Sequence, residues 1–170
     1  MQTTLSMAIS INGYITGQSD DTDWVKDTEA LYKIIADHDA CIMGSRTYVE
    51  AKKFDAFPYK GALNIVLTHD RKLIEQTTAD VIFTASSMGQ IITELEDRGL
   101  SKLIVIGGGN INSQFLTGGL IDEIILDIHP IIIDKGIKLF ENDFPRVDLE
   151  LVDSRALPNG LVQNHYKVIK

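Results

Sequence analysis

The chemistry most readily inferred from this sequence is that of a phosphate-binding turn. An apolar run at residues 103–106 is followed by Gly107, Gly108 and Gly109, and then by an amphipathic segment that ends at a further pair of glycines. The run predicts a strand covered on both faces, and the segment predicts a helix. Glycines let a ligand approach the backbone, and a helix start directs free N–H groups at an anion. The alternative is a turn that only packs helix against strand.

A second turn of the same kind lies earlier in the chain. The apolar run at residues 40–43 leads into Gly44, Ser45, Arg46 and Thr47, and a helical pattern continues to residue 54. Hydroxyl groups and a guanidinium suit phosphate oxygens better than bare backbone does. Two such turns, far apart in sequence, are what a ligand with two ends or a pyrophosphate centre requires.

Two ionisable residues alternate along a later apolar run. Asp127 and His129 fall on one face of a predicted strand, and Leu126 and Ile128 fall on the other. Ionisable groups on a central strand are costly unless they are paired or solvated. Either side chain, or a water that it holds, could supply a proton to a hydride acceptor. The alternative, equally compatible with the pattern, is that they pair with each other or cap a neighbouring helix.

The acidic segment at residues 20–24 has two interpretations. Asp23 could cap a helix predicted over residues 24–36, which is the commoner role of such a residue. The segment could also be a lid that faces the substrate, with Trp24 as a stacking surface for a flat heterocycle. His38 and His165 have no evident partner, and no histidine–carboxylate spacing predicts a metal site.

Composition places the chain among ordinary globular proteins. It has 170 residues, 44% hydrophobic and 24% charged, with a net charge of −8, so we expect one domain over residues 1–170 and no nucleic-acid partner. Cys41 is the single cysteine, so no intramolecular disulfide can form, and its apolar surroundings predict a core position. The first residues lack a basic region and a long apolar segment, so we expect no signal peptide, no membrane span and a cytoplasmic location.

The order of patterns predicts an α/β fold. Strands are predicted at residues 4–10, 40–43, 63–68, 81–84 and 103–106, with helices between them, including one capped by Ser86-Ser87 that runs to residue 95. A long strand is predicted over residues 121–133. Segments 147–157 and 161–169 flank Pro158-Asn159-Gly160, which is a hairpin signal. Parallel βα units should therefore be followed by antiparallel strands.

These turns, in this order, resemble the dihydrofolate reductase-like superfamily, which includes the reductase domain of bacterial riboflavin-biosynthesis enzymes. The matching segments extend along the whole chain, at residues 10–15, 42–48, 66–68, 106–109, 114–116, 121–123 and 129–130. The likeness is greatest to small stand-alone members. It implies a three-layer αβα sandwich with a mostly parallel mixed sheet and a C-terminal antiparallel hairpin, and NADPH as the hydride donor.

The resemblance also implies roles for individual residues. Ala8 and Ile15 would line the nicotinamide, and Thr68 and His69 would lie at the adenosine end. The cofactor phosphates would be held by the two turns, at Gly44, Ser45, Arg46, Thr47, Gly107, Gly108, Gly109, Asn110 and Ile111. The segment at Asp23 and Trp24 matches the mobile loop of dihydrofolate reductases in position, which favours these two as substrate-binding residues. The strand pattern, rather than the resemblance, makes Asp127 and His129 the candidate catalytic residues. The implied activity is that of a 5-amino-6-(5-phosphoribosylamino)uracil reductase or a related reductase of a small heterocycle, imine or carbonyl.

Some positions depart from the family pattern. Dihydrofolate reductases usually carry an arginine directly after Met-Gly, where this chain has Ser45. Either Arg46 or Arg71 would therefore contact the 2′-phosphate of NADPH in its place, or the preference for NADPH over NADH is weaker. The riboflavin-pathway reductases commonly have a glutamate where this chain has Gly107, and a lysine where it has Tyr14. Dihydrofolate or pteridine reduction, and a non-enzymatic nucleotide-binding module, are the alternatives.

A homodimer is the partner state that we expect. Members of the superfamily often pair through the sheet, and the apolar run at residues 121–133 offers more hydrophobic length than one small domain easily covers.

Overall fold

The apolar runs of the sequence become neighbouring strands of one sheet. The computed structural model describes residues 1–26 and 28–170. Its strands are β1 (Gln2–Ser10), β2 (Ala40–Gly44), β3 (Leu63–Leu67), β4 (Val81–Thr84), β5 (Lys102–Val105), β6 (Glu123–His129), β7 (Leu149–Ala156) and β8 (Val162–Val168). Their order across the sheet is β4-β3-β2-β5-β1-β6-β8-β7. Strands β1 to β6 pair in parallel, and β8 is antiparallel to both β6 and β7.

Helices cover both faces of the sheet. They are α1 (Glu29–Ala36), α2 (Ser45–Ala51), α3 (Arg71–Ile74), α4 (Met88–Asp97) and α5 (Gly109–Thr117). Ile91 of α4 and Phe115 of α5 belong to one buried cluster, and Ile35 of α1 and Tyr48 of α2 belong to the other. This arrangement confirms the predicted three-layer αβα sandwich, in which parallel strands are buried on both faces.

The predicted core position of Cys41 is confirmed, because its side chain is fully buried within β2. Burial disfavours the charged thiolate and therefore raises the pKa of the thiol. Among the described residues, no helix combines the length and the apolar composition that crossing a membrane would require.

The prediction of a helix over residues 24–36 is wrong at its start. Helix α1 begins at Glu29, and its N-cap Thr28 makes no side-chain capping bond, so Asp23 is not the cap. Asp23 instead donates its N–H to the Asp21 carboxylate, and Trp24 donates its indole N–H to the Asp21 carbonyl oxygen. The acidic side chain of Asp21 thus folds the segment into a turn. Position 27, within the range predicted as helix, lies outside the described residues.

The long strand predicted over residues 121–133 is also wrong. Strand β6 ends at His129, directly before Pro130, which has no N–H for a strand ladder. The apolar residues beyond it contact a turn instead. Ile11 donates its N–H to the Ile131 carbonyl, and the Asn12 amide donates to the Ile133 carbonyl and accepts from the Ile133 N–H.

The predicted C-terminal hairpin is confirmed. Strands β7 and β8 pair antiparallel around Pro158–Gly160. Asn159 and Gly160 both have positive φ, at 61° and 76°, which asparagine and glycine tolerate better than other residues do.

Candidate active site and cofactor crevice

The two glycine turns meet at the carboxyl edge of the sheet. Because β2 and β5 are neighbours, the segments that follow them lie side by side, and the Gly44 N–H donates to the Gly107 carbonyl at 2.9 Å. Helices α2 and α5 both begin there, so both direct their first N–H groups at the same edge. Ligands of parallel α/β sheets characteristically bind at this edge.

Gly108, Thr47 and Ile15 border the gap between the two turns, which we call the crevice. A Cβ atom on Gly108 would lie 3.7 Å from the Thr47 Oγ1 and 3.9 Å from the Ile15 Cδ1, so these three predicted cofactor residues surround one space. Gly107 has a φ of +96°, and a Cβ there would lie 3.0 Å from the Met7 side chain. Glycine at 107 therefore suits the positive φ of the backbone, and a side chain there would also require the flexible end of Met7 to move.

Gly109 has a different environment from the other glycines of the turn. A Cβ on Gly109 would overlap the Lys138 carbonyl oxygen and would lie 2.8 Å from the Glu141 Cγ. Glycine at this position therefore allows residues 138–141 to pack on the start of α5. Gly109 therefore has the packing role that was the alternative for the whole turn, whereas Gly108 faces the crevice. Asn110 is exposed, and its side chain accepts a hydrogen bond from Gln114.

A carboxylate that the sequence analysis did not select lies across the two turns. The Glu141 Oε2 is 3.9 Å from a guanidinium nitrogen of Arg46, whose side chain is 64% exposed. The backbone N–H of Glu141 donates to the Ser113 hydroxyl, which ties this segment to α5. No spacing motif marks Glu141, because it lies about 30 residues after the glycine turn in an irregular segment.

The residues expected at the adenosine end follow β3, the strand next to β2. Thr68 is nearly buried, and its hydroxyl accepts the N–H of Asp70, so the chain turns sharply there into α3. His69 is exposed, and Arg71 begins α3. All three therefore lie beside the start of α2 at the same sheet edge.

Strand pairing places Asp127 beside Ala8. The register aligns Ala8 of β1 with Asp127 of β6, then Gln163 of β8, and then Arg155 of β7. Ala8, Asp127, Gln163 and Arg155 form what we call the cross-strand row. Asp127 is 7% exposed and accepts a hydrogen bond from the Gln163 amide at 2.7 Å. The sequence predicted the face of Asp127 but not this partner.

His129 binds backbone atoms rather than a carboxylate. Its Nδ1 lies 3.0 Å from the Asp127 carbonyl oxygen, and its Nε2 accepts the Lys26 N–H at 3.0 Å. The Trp24 ring and the imidazole pack nearly perpendicular to each other, with the ring centroids 5.2 Å apart. His129 is 2% exposed and thus fixes the segment carrying Trp24 against the end of β6. Trp24 therefore lies beside His129 at the end of β6, whereas Asp23 is exposed.

One buried polar atom in this region has no hydrogen-bond partner within the described part of the chain. Asn112 in the first turn of α5 donates its amide to the Leu139 carbonyl, but its Oδ1 is unpaired. Separately, residues 1–26 and 28–170 contain no group of three or more His, Cys, Asp and Glu side chains arranged to hold a metal ion.

The sandwich, the two turns and the C-terminal hairpin together define a dihydrofolate reductase-like fold. Residues 2–163 match the RibD C-terminal domain family, and the chain belongs to that family. The resemblance inferred from the sequence is therefore confirmed.

The chain is similar to several proteins over nearly its full length. It is 23% identical over 173 residues to the uncharacterized protein YyaP of Bacillus subtilis (strain 168), covering 95% of this chain and 92% of YyaP. A crystal structure of a Shewanella sp. PV-4 protein named for riboflavin biosynthesis has a TM-score of 0.85 and 24% identity, and 100% of both chains is covered. A pyrimidine reductase-like protein from Corynebacterium diphtheriae has a TM-score of 0.77 and 22% identity, covering 99% of this chain and 92% of that one.

Proposed function

We propose that this protein is an NADPH-dependent reductase of the riboflavin-pathway type, which transfers a hydride to a small nitrogen heterocycle or to a related imine or carbonyl. The observation that carries the proposal is the position of the crevice. Two helix starts border it, and the strand that runs up to it, β1, places Ala8 directly beside the Asp127 carboxylate. Family membership supports a reductase of this type.

The crevice fits a dinucleotide at its phosphates. A Cβ on Gly108 would extend into the space beside Thr47, so its absence leaves room for a ligand against the backbone. The free N–H groups of α2 and α5 and the Thr47 hydroxyl would bind phosphate oxygens. Arg46 is an exposed cation in the second of the two turns and would contact the 2′-phosphate, in competition with Glu141. NADPH, when bound, supplies the hydride.

The other end of the site fits a flat ring and a proton donor. Ala8 is small and Ile15 is apolar and buried, which suits a nicotinamide ring sliding against them. Asp127, next to Ala8, would deliver the proton directly or through a water, a contribution of about 10²–10⁴ in rate. His129 would support this step by holding Trp24 over the same end of the site.

The first experiment measures cofactor binding. We expect NADPH to bind with a dissociation constant in the micromolar range or tighter, followed by the fluorescence of the cofactor, with NADH titrated alongside. Absence of binding by either dinucleotide would contradict a reductase. Binding without oxidation of NADPH by any substrate would favour a nucleotide-binding module.

The second experiment measures proton delivery. Turnover is assayed first with 5-amino-6-(5-phosphoribosylamino)uracil and then with dihydrofolate. The first compound is part of the name of a structurally similar Thermotoga maritima protein, and the match covers 56% of that protein's chain. We expect Asp127→Asn and His129→Gln to lower kcat while NADPH affinity stays nearly constant, because neither residue lies in the phosphate turns. Unchanged kcat in both variants would assign the pair a structural role.

A further inference from the structure

A chain of hydrogen bonds leads from the protein surface to Asp127. Arg155 on the exposed edge strand β7 donates from Nε at 3.0 Å and from a terminal nitrogen at 2.5 Å to the Gln163 Oε1. Gln163, which is 5% exposed, donates in turn from Nε2 to the Asp127 Oδ1 at 2.7 Å. All three residues belong to the cross-strand row and so share the sheet face of Ala8.

The guanidinium fixes which way the Gln163 amide points. Arginine has five N–H donors and no acceptor, so only the amide oxygen of Gln163 can face it. The amide NH₂ must then face Asp127, where it donates to the carboxylate. Without Arg155, the oxygen and nitrogen of the amide could exchange places and turn an acceptor toward Asp127.

We propose that Gln163 is a positioning residue for the reductase reaction, oriented by Arg155: it holds the Asp127 carboxyl group in the orientation in which, once protonated from solvent, it passes that proton to the substrate. This inference rests on the proposed function. Burying an amide and a carboxylate together is unfavourable unless their hydrogen bonds are satisfied. The same hairpin could have placed an apolar residue at 163, as it does at the buried Leu161.

The hairpin offers a matched control on the opposite sheet face. Asn164 follows Gln163 directly, so its side chain points the other way. It accepts from the Ser154 hydroxyl at 2.7 Å and donates to the Tyr166 hydroxyl at 3.1 Å. Asn164 therefore has a similar network between β7 and β8 but no connection to Asp127.

The test compares Gln163→Leu with Asn164→Leu. We expect Gln163→Leu to lower kcat about tenfold while the NADPH dissociation constant changes less than twofold. Asn164→Leu should leave kcat within twofold of the wild type, because it removes a hairpin network without affecting Asp127. Equal losses of kcat in the two variants would overturn the inference, since they would reflect damage to the hairpin alone.

Arg155 is tested by a second pair of variants. Arg155→Met should lower kcat about threefold, because the amide is then free to reorient, and Arg155→Lys should restore most of the loss by keeping a donor at the Gln163 oxygen. If the wild type turns over substrate and neither Gln163→Leu nor Arg155→Met loses kcat, this inference is overturned while the reductase proposal stands. Failure of the wild type to bind NADPH would overturn the reductase proposal itself.

Discussion

Among single residues, Gly108 gives the most direct test of cofactor binding. Its φ of −74° suits any residue, and a Cβ would lie at ordinary contact distances from Thr47 and Ile15. We expect Gly108→Val to fold but to lose at least about tenfold in NADPH affinity, near 1.4 kcal/mol, because the side chain fills the crevice. Fluorescence titration measures the affinity, and thermal unfolding checks the fold.

The control for Gly108→Val is Gly89→Val. Gly89 lies in α4, and a Cβ there would meet no atom within 4 Å. Gly89→Val should therefore bind NADPH like the wild type. Equal affinity of the two variants for NADPH would show that Gly108 does not face the cofactor.

Residue types and spacing predicted the crevice but not the network behind it. Gly44 and Gly107 were found because each ends an apolar run, and neighbouring parallel strands bring such ends together. Gln163 and Arg155 were missed because each lies in a strand with several other polar residues, like an ordinary solvent-facing strand. The connection from Arg155 through Gln163 to Asp127 depends on a pairing register that no local pattern encodes.

At the scale of elements, Asp39 joins the starts of two strands. Its carboxylate, directly ahead of β2, accepts the N–H groups of Ser101 at 2.7 Å and of Lys102, the first residue of β5, at 2.9 Å. These hydrogen bonds stabilise the charged carboxylate and lower the pKa of Asp39 below its ordinary value of 3.8, with the larger contribution from Ser101 and the next from Lys102. The stabilisation is thus present above the unfolded-state pKa and is lost as the pH falls through the lower folded-state pKa.

We therefore expect Asp39→Asn to be less stable than the wild type at pH 7, with the difference shrinking as the pH falls below about 4. Urea unfolding at a series of pH values measures this difference. Asp37→Asn, which removes an exposed carboxylate from the same connection, is the control. A difference that is constant with pH would show that the Asp39 charge does not contribute.

The predicted elements held where an apolar run lies between polar breaks. Strand β4 matches its predicted bounds, and Ser87 caps α4 through a reciprocal bond pair with Gln90. The predictions failed where backbone groups of an apolar run form hydrogen bonds with a turn instead of with a neighbouring strand. Residues 131–133 are as apolar as a strand, yet their backbone groups bind the turn at Asn12, and Ile132 is 74% exposed.

For the whole molecule, we propose a homodimer that forms through the β7–β8 hairpin. Segment 121–133, the surface first expected to pair, cannot present a free edge, since β6 lies between β1 and β8. All eight residues of β7 are exposed instead, including Leu149, Leu151 and Val152. An exposed apolar edge strand is a site where a second chain can pack.

We expect light scattering at micromolar concentration to give twice the chain mass of 18.9 kDa for the wild type. Leu151→Lys should shift the protein to the monomer, because it places a charge in the apolar contact. Ile132→Lys, at an exposed apolar residue outside the hairpin, should remain dimeric. A wild-type mass of 18.9 kDa would contradict the dimer.

The central place of β1 in the sheet means that this strand is synthesised long before either of the strands with which it pairs. Strand β1 lies between β5 and β6, so its hydrogen-bonding partners begin only at residues 102 and 123. At a synthesis rate of about 5–20 residues per second, the first strand waits roughly 5–20 s for its first neighbour. During that interval both of its edges are unpaired, and a nascent chain stopped before residue 123 would keep one of them open to other chains.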